Sequence, residues 1–236
     1  MAKTISKFNK ETNPFDSMQY TSKPLTSEVL GTLDNIKDIA DELGGKFVVG
    51  GGVACSYLNV DAELASQKDE RGGEISFEQK KSVIDTINRK SRISDIDGFS
   101  TIPVYELLAN IHKHTGRGFR EFKNARDYVE LVYNDLKFQI TETDPDDFTI
   151  KSSRIVKIPK NRYSYYEIPV VHPGYIAVFK LQRCEMVDPG DVMGMVLVGS
   201  LKREDIEYAL HEMSLKKNQE NLIFGRYDSI VKRSEQ

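Results

Sequence analysis

Phe47-Val-Val-Gly-Gly-Gly-Val-Ala54 is the stretch on which the reading of this chain turns. Three apolar residues, two of them β-branched, suit a short buried strand, and the glycines suit a turn into a helix that continues through Val53, Ala54, Tyr57 and Leu58. Glycine takes unusual dihedrals and lets a ligand approach the backbone, while the first N–H groups of a helix have no partner within it. Strand, glycine turn and helix start therefore predict backbone donors where a phosphate can sit. Downstream, Arg92-Ile-Ser-Asp-Ile-Asp-Gly-Phe99 reads as a second strand. Asp95 and Asp97, at i and i+2, share one face of it, and a shared divalent cation relieves their repulsion. A phosphate cradle beside paired carboxylates is what a metal-bound nucleoside triphosphate requires.

Working outward, Val29, Leu30, Leu33, Ile36, Ile39, Ala40 and Leu43 recur at helical spacing, with Thr26 or Ser27 as cap and Gly44-Gly45 as stop. Residues 1–24 are polar, contain Pro14 and Pro24, and read as a flexible arm. Residues 59–90 read as a polar inserted segment on the surface, with a helix from Phe77 to Arg89. Pro103 starts a helix that Thr115-Gly116 ends, and Arg120 to Asn134 is expected to be helical. Leu136 to Thr141 alternates as a strand; Phe148 to Ile158 and Tyr163 to Val171 read as a hairpin. From His172-Pro-Gly onward the pattern is helical: Ile176 to Leu181, then Asp188 to Val198, a helix capped by Ser200, and a short one from Leu222 to Val231. The fold class is α+β, a small mixed sheet flanked by helices over residues 25–172, followed by a C-terminal helical bundle over residues 173–236.

The composition narrows the class. The chain has 236 residues, 39% of them apolar and 29% charged, and a net charge of −3, which suits a soluble globular protein and argues against a globally basic nucleic-acid binder. Cys55 and Cys184 are too few for a disulfide framework and lack metal-site spacing. With no signal-like start and no run long enough to span a bilayer, a cytoplasmic location without membrane contact is expected.

Val48-Val-Gly-Gly-Gly-Val-Ala54, the Ser94-Asp-Ile-Asp97 element, and Lys180-Leu-Gln-Arg183 followed by Asp188-Pro-Gly-Asp191 together resemble the nucleotidyltransferase superfamily of the DNA polymerase β type, closest in flavour to the AbiEii-like toxins. The resemblance covers roughly residues 45–215 and lies in the order of motifs. It implies that Gly51 and Gly52 hold the triphosphate with Ser94 assisting, that Asp95 and Asp97 bind Mg²⁺, and that Lys180 reaches the phosphates. Without that resemblance, Lys180 reads as a solvent-facing helix lysine and Asp188 and Asp191 as helix caps. The implied activity is Mg²⁺-dependent transfer of a nucleotidyl group from a nucleoside triphosphate to an RNA end, such as a tRNA-like one, or to a protein hydroxyl. A toxin role held in check by an antitoxin partner rests on the same analogy.

One departure stands out. Active members carry a third carboxylate on the strand after the D-x-D element, where this chain has Gln139, which neither accepts a proton nor binds Mg²⁺ well. Glu142, Asp144 or the more remote Glu167 could replace it; otherwise the chain is a catalytically degenerate fold serving as a nucleic-acid- or protein-binding module. Lys151, Arg154, Lys157, Lys160 and Arg162, interleaved with Tyr163, Tyr165 and Tyr166, together with Arg117 and Arg120, form a candidate groove for an RNA backbone. The alternative is a solvated hairpin. His112 and His114 do not share a helix face, and His172 and Cys55 read as structural.

Overall fold

The computed structural model describes residues 26–71, 73–88, 95–116, 122–124, 128–133, 136–185 and 188–235, so the N-terminal arm lies outside the described residues. Helix α1 (Ser27–Glu42) forms on the predicted stripe: the Thr26 side chain accepts the Val29 N–H, and Val29, Leu33, Ile36 and Ala40 are buried. Its end passes through Leu43 to Gly44 at φ +76°, a left-handed conformation that suits glycine. Strand β1 (Phe47–Val49) follows, fully buried as its unbroken apolar run requires. Helix α2 (Gly51–Arg71) leaves directly from the glycines.

The segment read as a surface insertion packs more closely than its polarity suggests. Helix α2 continues through it to Arg71 with Val60 fully buried, and α3 (Phe77–Asn88) buries Val83, Ile84 and Ile87 in the same core. Strand β2 (Ile96–Ser100) and α4 (Val104–Thr115) come next, the latter closed by Gly116 at φ +65°.

The expected helix from Arg120 to Asn134 is corrected. Among its described residues, Phe122–Asn124 and Val129–Tyr133 are strands β3 and β4. The residues Phe122, Ala125, Val129 and Val132 fit a helical period, but Val129, Leu131 and Tyr133 also alternate, and that alternation wins by pairing with β5 (Leu136–Glu142). A second correction falls at Phe148–Lys151, which is a single helical turn, α5, not strand. The Asp147 side chain accepts from Thr149 N–H at 2.8 Å to start it. The hairpin proper is β6 (Arg154–Pro159) and β7 (Tyr165–Val170).

Among the described residues the strands form one seven-stranded mixed sheet in the order β3-β4-β5-β2-β1-β7-β6. Strands β2 and β5 are parallel, as are β1 and β7, while β1 runs antiparallel to β2. The C-terminal helices are α6 (Pro173–Arg183), α7 (Asp188–Leu197), α8 (Arg203–Met213) and α9 (Lys217–Ser234), the last longer than expected. Ser200 does not cap α8, which begins after Lys202; its hydroxyl donates instead to the buried Asn59 Oδ1 of α2 at 2.7 Å. One hydrophobic core runs from α1 to α9. No helix among the described residues is long and apolar enough to cross a membrane.

Helices α6 and α8 cross where Gly174 leaves no room for a side chain, since a Cβ there would fall on the backbone carbonyl of Asp205. Gly174→Ala is expected to destabilise the protein by about 1–3 kcal/mol through forced separation of the helices. Gly225→Ala, in an exposed and open stretch of α9, should instead stabilise by roughly 0.5–1 kcal/mol. Urea unfolding of the two variants against wild type checks both.

Candidate functional site

The glycine turn is clamped from both sides. Gly50 N–H donates to Asp97 C=O at 2.9 Å, and Val49 C=O accepts Val171 N–H at 2.9 Å, so the chain leaves β1 gripped between β2 and the end of β7. Gly51 then adopts φ +60°, and a Cβ on it would land on Asp97 Oδ2. Only glycine satisfies both the backbone conformation and the contact. The Asp97 carboxylate therefore sits against the first residue of α2, and Gly52 follows in that helix's first turn, which carries no acidic side chain.

Register places the other candidates. Asp97 is opposite Gln139, and Gln139 is opposite Glu130 on the next strand, so these three share the half-exposed face of the sheet. Phe99 and Thr141 lie one step along it. Lys137 is on this face too; its ammonium is 3.1 Å from Glu130 Oε2, and that bond and the nearby Asp95 charge hold its pKa above the ordinary lysine value. Gln139 thus lies beside Asp97, where the third carboxylate was expected. Glu142 points elsewhere: its Oε1 accepts the Val104 N–H at 2.8 Å and caps the start of α4, so it does not join the acids. Glu167 pairs with Lys157 on the far hairpin. Ser94 and Arg92 lie outside the described residues.

Between this face and α6 is a cavity of about 410 Å³, lined among others by Gly51, Asp97, Gln139, Tyr175, Phe179 and Arg183. Tyr175 and Phe179 are nearly parallel at 14° with ring centroids 6.4 Å apart, and the Arg183 guanidinium lies 5.9 Å from the Phe179 ring centre. Phe99 meets Tyr175 edge-on at 6.4 Å. Sequence reading missed this wall, although Tyr175, Phe179 and Arg183 recur every four residues and so line one helix stripe.

Lys180 corrects the expectation of a solvent-facing lysine. It is 5% exposed, with its ammonium 2.6 Å from Asp191 Oδ2 and 3.2 Å from Asp188 Oδ1. Burial alone would lower its pKa, but Cys55 and the two aspartates hold it above the ordinary value. Asp188, fully buried, also takes a two-pronged contact from Arg183 at 2.9 and 3.0 Å and the Glu185 N–H at 2.9 Å. Burial opposes its charge, yet Arg183 and Lys180 keep its carboxyl below the ordinary range. These acids are ion-pair partners locking α6 to α7, a larger role than capping. Lys180 nevertheless borders the cavity.

The basic hairpin is not brought to this cavity, and its cations have acidic neighbours: Lys151 with Asp146 at 2.8 Å, Arg154 with Asp61 at 3.5 Å, Lys157 with Glu167 at 2.7 Å. Arg117 and Arg120 lie outside the described residues. Tyr166 is buried, whereas Tyr163 stands exposed near the bend. Cys55 is buried and its thiol is pushed up to about 12 by desolvation, which makes it unreactive. His172 Nδ1 accepts the Gly174 N–H at 3.1 Å and caps α6.

No protein-family model matches the chain, and no curated protein matches it. Solved structures do. An antigenic nucleotidyltransferase-like protein from Paracoccidioides brasiliensis aligns at 15% identity and TM-score 0.45, over 89% of this chain and 94% of that one. The antibiotic-resistance factor ANT(2'')-Ia aligns at 14% identity and TM-score 0.42, over 89% and 97%. A Thermotoga maritima protein named as a nucleotidyltransferase aligns at 17% identity and TM-score 0.36, over 69% and 89%. Two of these three neighbours carry nucleotidyltransferase names.

Lys180→Met leaves Asp188 and Asp191 buried with less compensation and is expected to destabilise by about 3–5 kcal/mol in urea unfolding. Adding Asp191→Asn to that variant should recover part of the loss. The pH dependence of stability tests the α6 cap. Burial lowers the His172 pKa below 6.5, so its contribution is full above 6.5 and is lost as pH falls through the lower folded value. Between pH 7.5 and 5.5, wild type should lose more thermal stability than His172→Asn, whose side chain also caps but does not titrate.

Proposed function

We propose that the chain binds a nucleoside triphosphate with Mg²⁺ in the cavity between α6 and the β2–β5 face, and transfers its nucleotidyl group to a hydroxyl on an RNA end or a protein. Pyrophosphate is the leaving group. The observation that carries this reading is the contact between Gly51 and Asp97, which sets the first backbone donors of α2 against a carboxylate. Helix α2 directs its N-terminus at the same point, favouring negative charge there.

Asp95 and Asp97 would hold the ion, and Mg²⁺ is commonly held by one or two carboxylates with phosphate oxygens and water completing its shell. When bound, it neutralises charge on the transferred phosphoryl group. Gly51 and Gly52 position the phosphates. Arg183, half-exposed at the cavity, adds positive charge that the sequence reading had assigned to Lys180. The Phe179 ring offers a stacking surface for the base. An RNA acceptor would replace the acidic partners of Lys151, Arg154 and Lys157 with phosphates. The toxin role and its antitoxin rest on motif resemblance alone.

Gln139 favours a second reading. It occupies the place beside Asp97 where a proton acceptor belongs, and Glu142 is turned to α4. A site so built would bind nucleotide and transfer it slowly or not at all.

Thermal unfolding with each of the four ribonucleoside triphosphates, with and without Mg²⁺, tests the binding step. Nucleotide at about 100 times its dissociation constant should add roughly 2.7 kcal/mol and raise the midpoint by about 5–11 °C. The shift should need Mg²⁺ and vanish in Asp95→Asn/Asp97→Asn. A shift that survives in that variant removes the assignment. Transfer of α-labelled nucleotide to RNA or protein then separates the two readings.

A further inference from the structure

The open face of the sheet holds a cation next to the carboxylate pair. Ile96 is level with Phe138, so one step back along both strands Asp95 comes level with Lys137. One step forward, Asp97 is level with Gln139 and Gln139 with Glu130. Neighbouring strands are about 4.8 Å apart, which puts the Lys137 side chain within reach of the space in front of Asp95. Glu130, only 24% exposed at its side chain, holds the ammonium at 3.1 Å from its position on the third strand. Asp95 acts on it electrostatically from the other side.

Sites that use two divalent ions place them about 3.5–4 Å apart and need anionic oxygens to bridge and screen them. Here the position beside Asp97 is a neutral amide, and the position beside Asp95 is a positive charge. A second ion would find only the Glu130 carboxylate, already engaged by Lys137, and would meet repulsion from the ammonium. We propose that this site takes a single divalent cation, the one accompanying the triphosphate, and that Lys137, steered by Glu130, supplies the second positive charge in place of a second ion. The proposal rests on the triphosphate reading above. It casts Lys137 and Glu130 as site residues, and Gln139 as a residue matched to a one-ion site, not merely a lost acid.

The count of bound ions tests it without reference to turnover. Wild-type protein is saturated with α,β-methylene-ATP and titrated with Mn²⁺, and bound ion is read from loss of the free-Mn²⁺ resonance signal, corrected for unbound nucleotide. One Mn²⁺ per bound nucleotide is expected for wild type, and two for Lys137→Gln/Gln139→Asp. Two ions in wild type overturn the proposal, as does a folded double variant that binds the analogue with wild-type affinity and still takes one. If the double variant does not fold, the wild-type count decides alone. Calorimetry of the analogue with Mg²⁺ keeps the two levels apart: no binding to wild type overturns the triphosphate reading and the one-ion site with it, whereas binding with two ions overturns only the latter.

Discussion

The contact between the bare Cα of Gly51 and the Asp97 carboxylate is the constraint on which the site depends. It lets α2 begin against the acidic strand, and the Gly50–Asp97 backbone hydrogen bond fixes that approach. A side chain at position 51 would have to displace the carboxylate or the helix, and L-residues seldom adopt its left-handed backbone. Close approaches recur around it: Gly50 lies under the Phe99 ring and Gly98 under Phe47. Those rings close the space that side chains at the glycines would have filled.

Charge organises the opposite wall. Lys180, Arg183, Asp188 and Asp191 form a connected set in which two buried acids face two cations. Such an arrangement adds little net stability over an apolar equivalent, but losing one member is costly. Its effect is geometric, because it ties α6 to the start of α7. Arg183 is tied to Asp188 yet half-exposed at the cavity, so it can address a ligand anion without leaving its partner.

Much of this was legible in the sequence where a local rule decides. The stripe of α1, the glycine turn, Gly116 as stop and the α6 start at Pro173 each rest on a few neighbouring residues. Asp97 lies on β2, where the alternation of residues 96–100 put it, and Asp95 stands just before that strand. Long-range pairing was harder to read. The sequence around Tyr128 to Tyr133 satisfies both periods, and only β5 alongside it selects strand. The buried fate of Lys180 depended on acids eight and eleven residues away, which hydrophobic patterning treats as surface. The hairpin's cations looked unopposed because Asp61, on another element, is remote in sequence and Glu167 lies beyond the bend. Gln139 was placed correctly beside the acids, but its relation to Glu130 and Lys137 required the register of three strands.

Ser200 and Asn59 join the C-terminal helices to α2 through a hydrogen bond sealed inside the core. Rocking the helical segment away from the sheet would break that buried hydrogen bond and open the shared apolar core besides. Clamshell breathing is therefore a poor route into the cavity. Phe179 and Arg183 stand at the cavity with exposed side chains. The molecule is better pictured as a vault than as a pair of jaws: its C-terminal helices are bolted to α2 from inside the core.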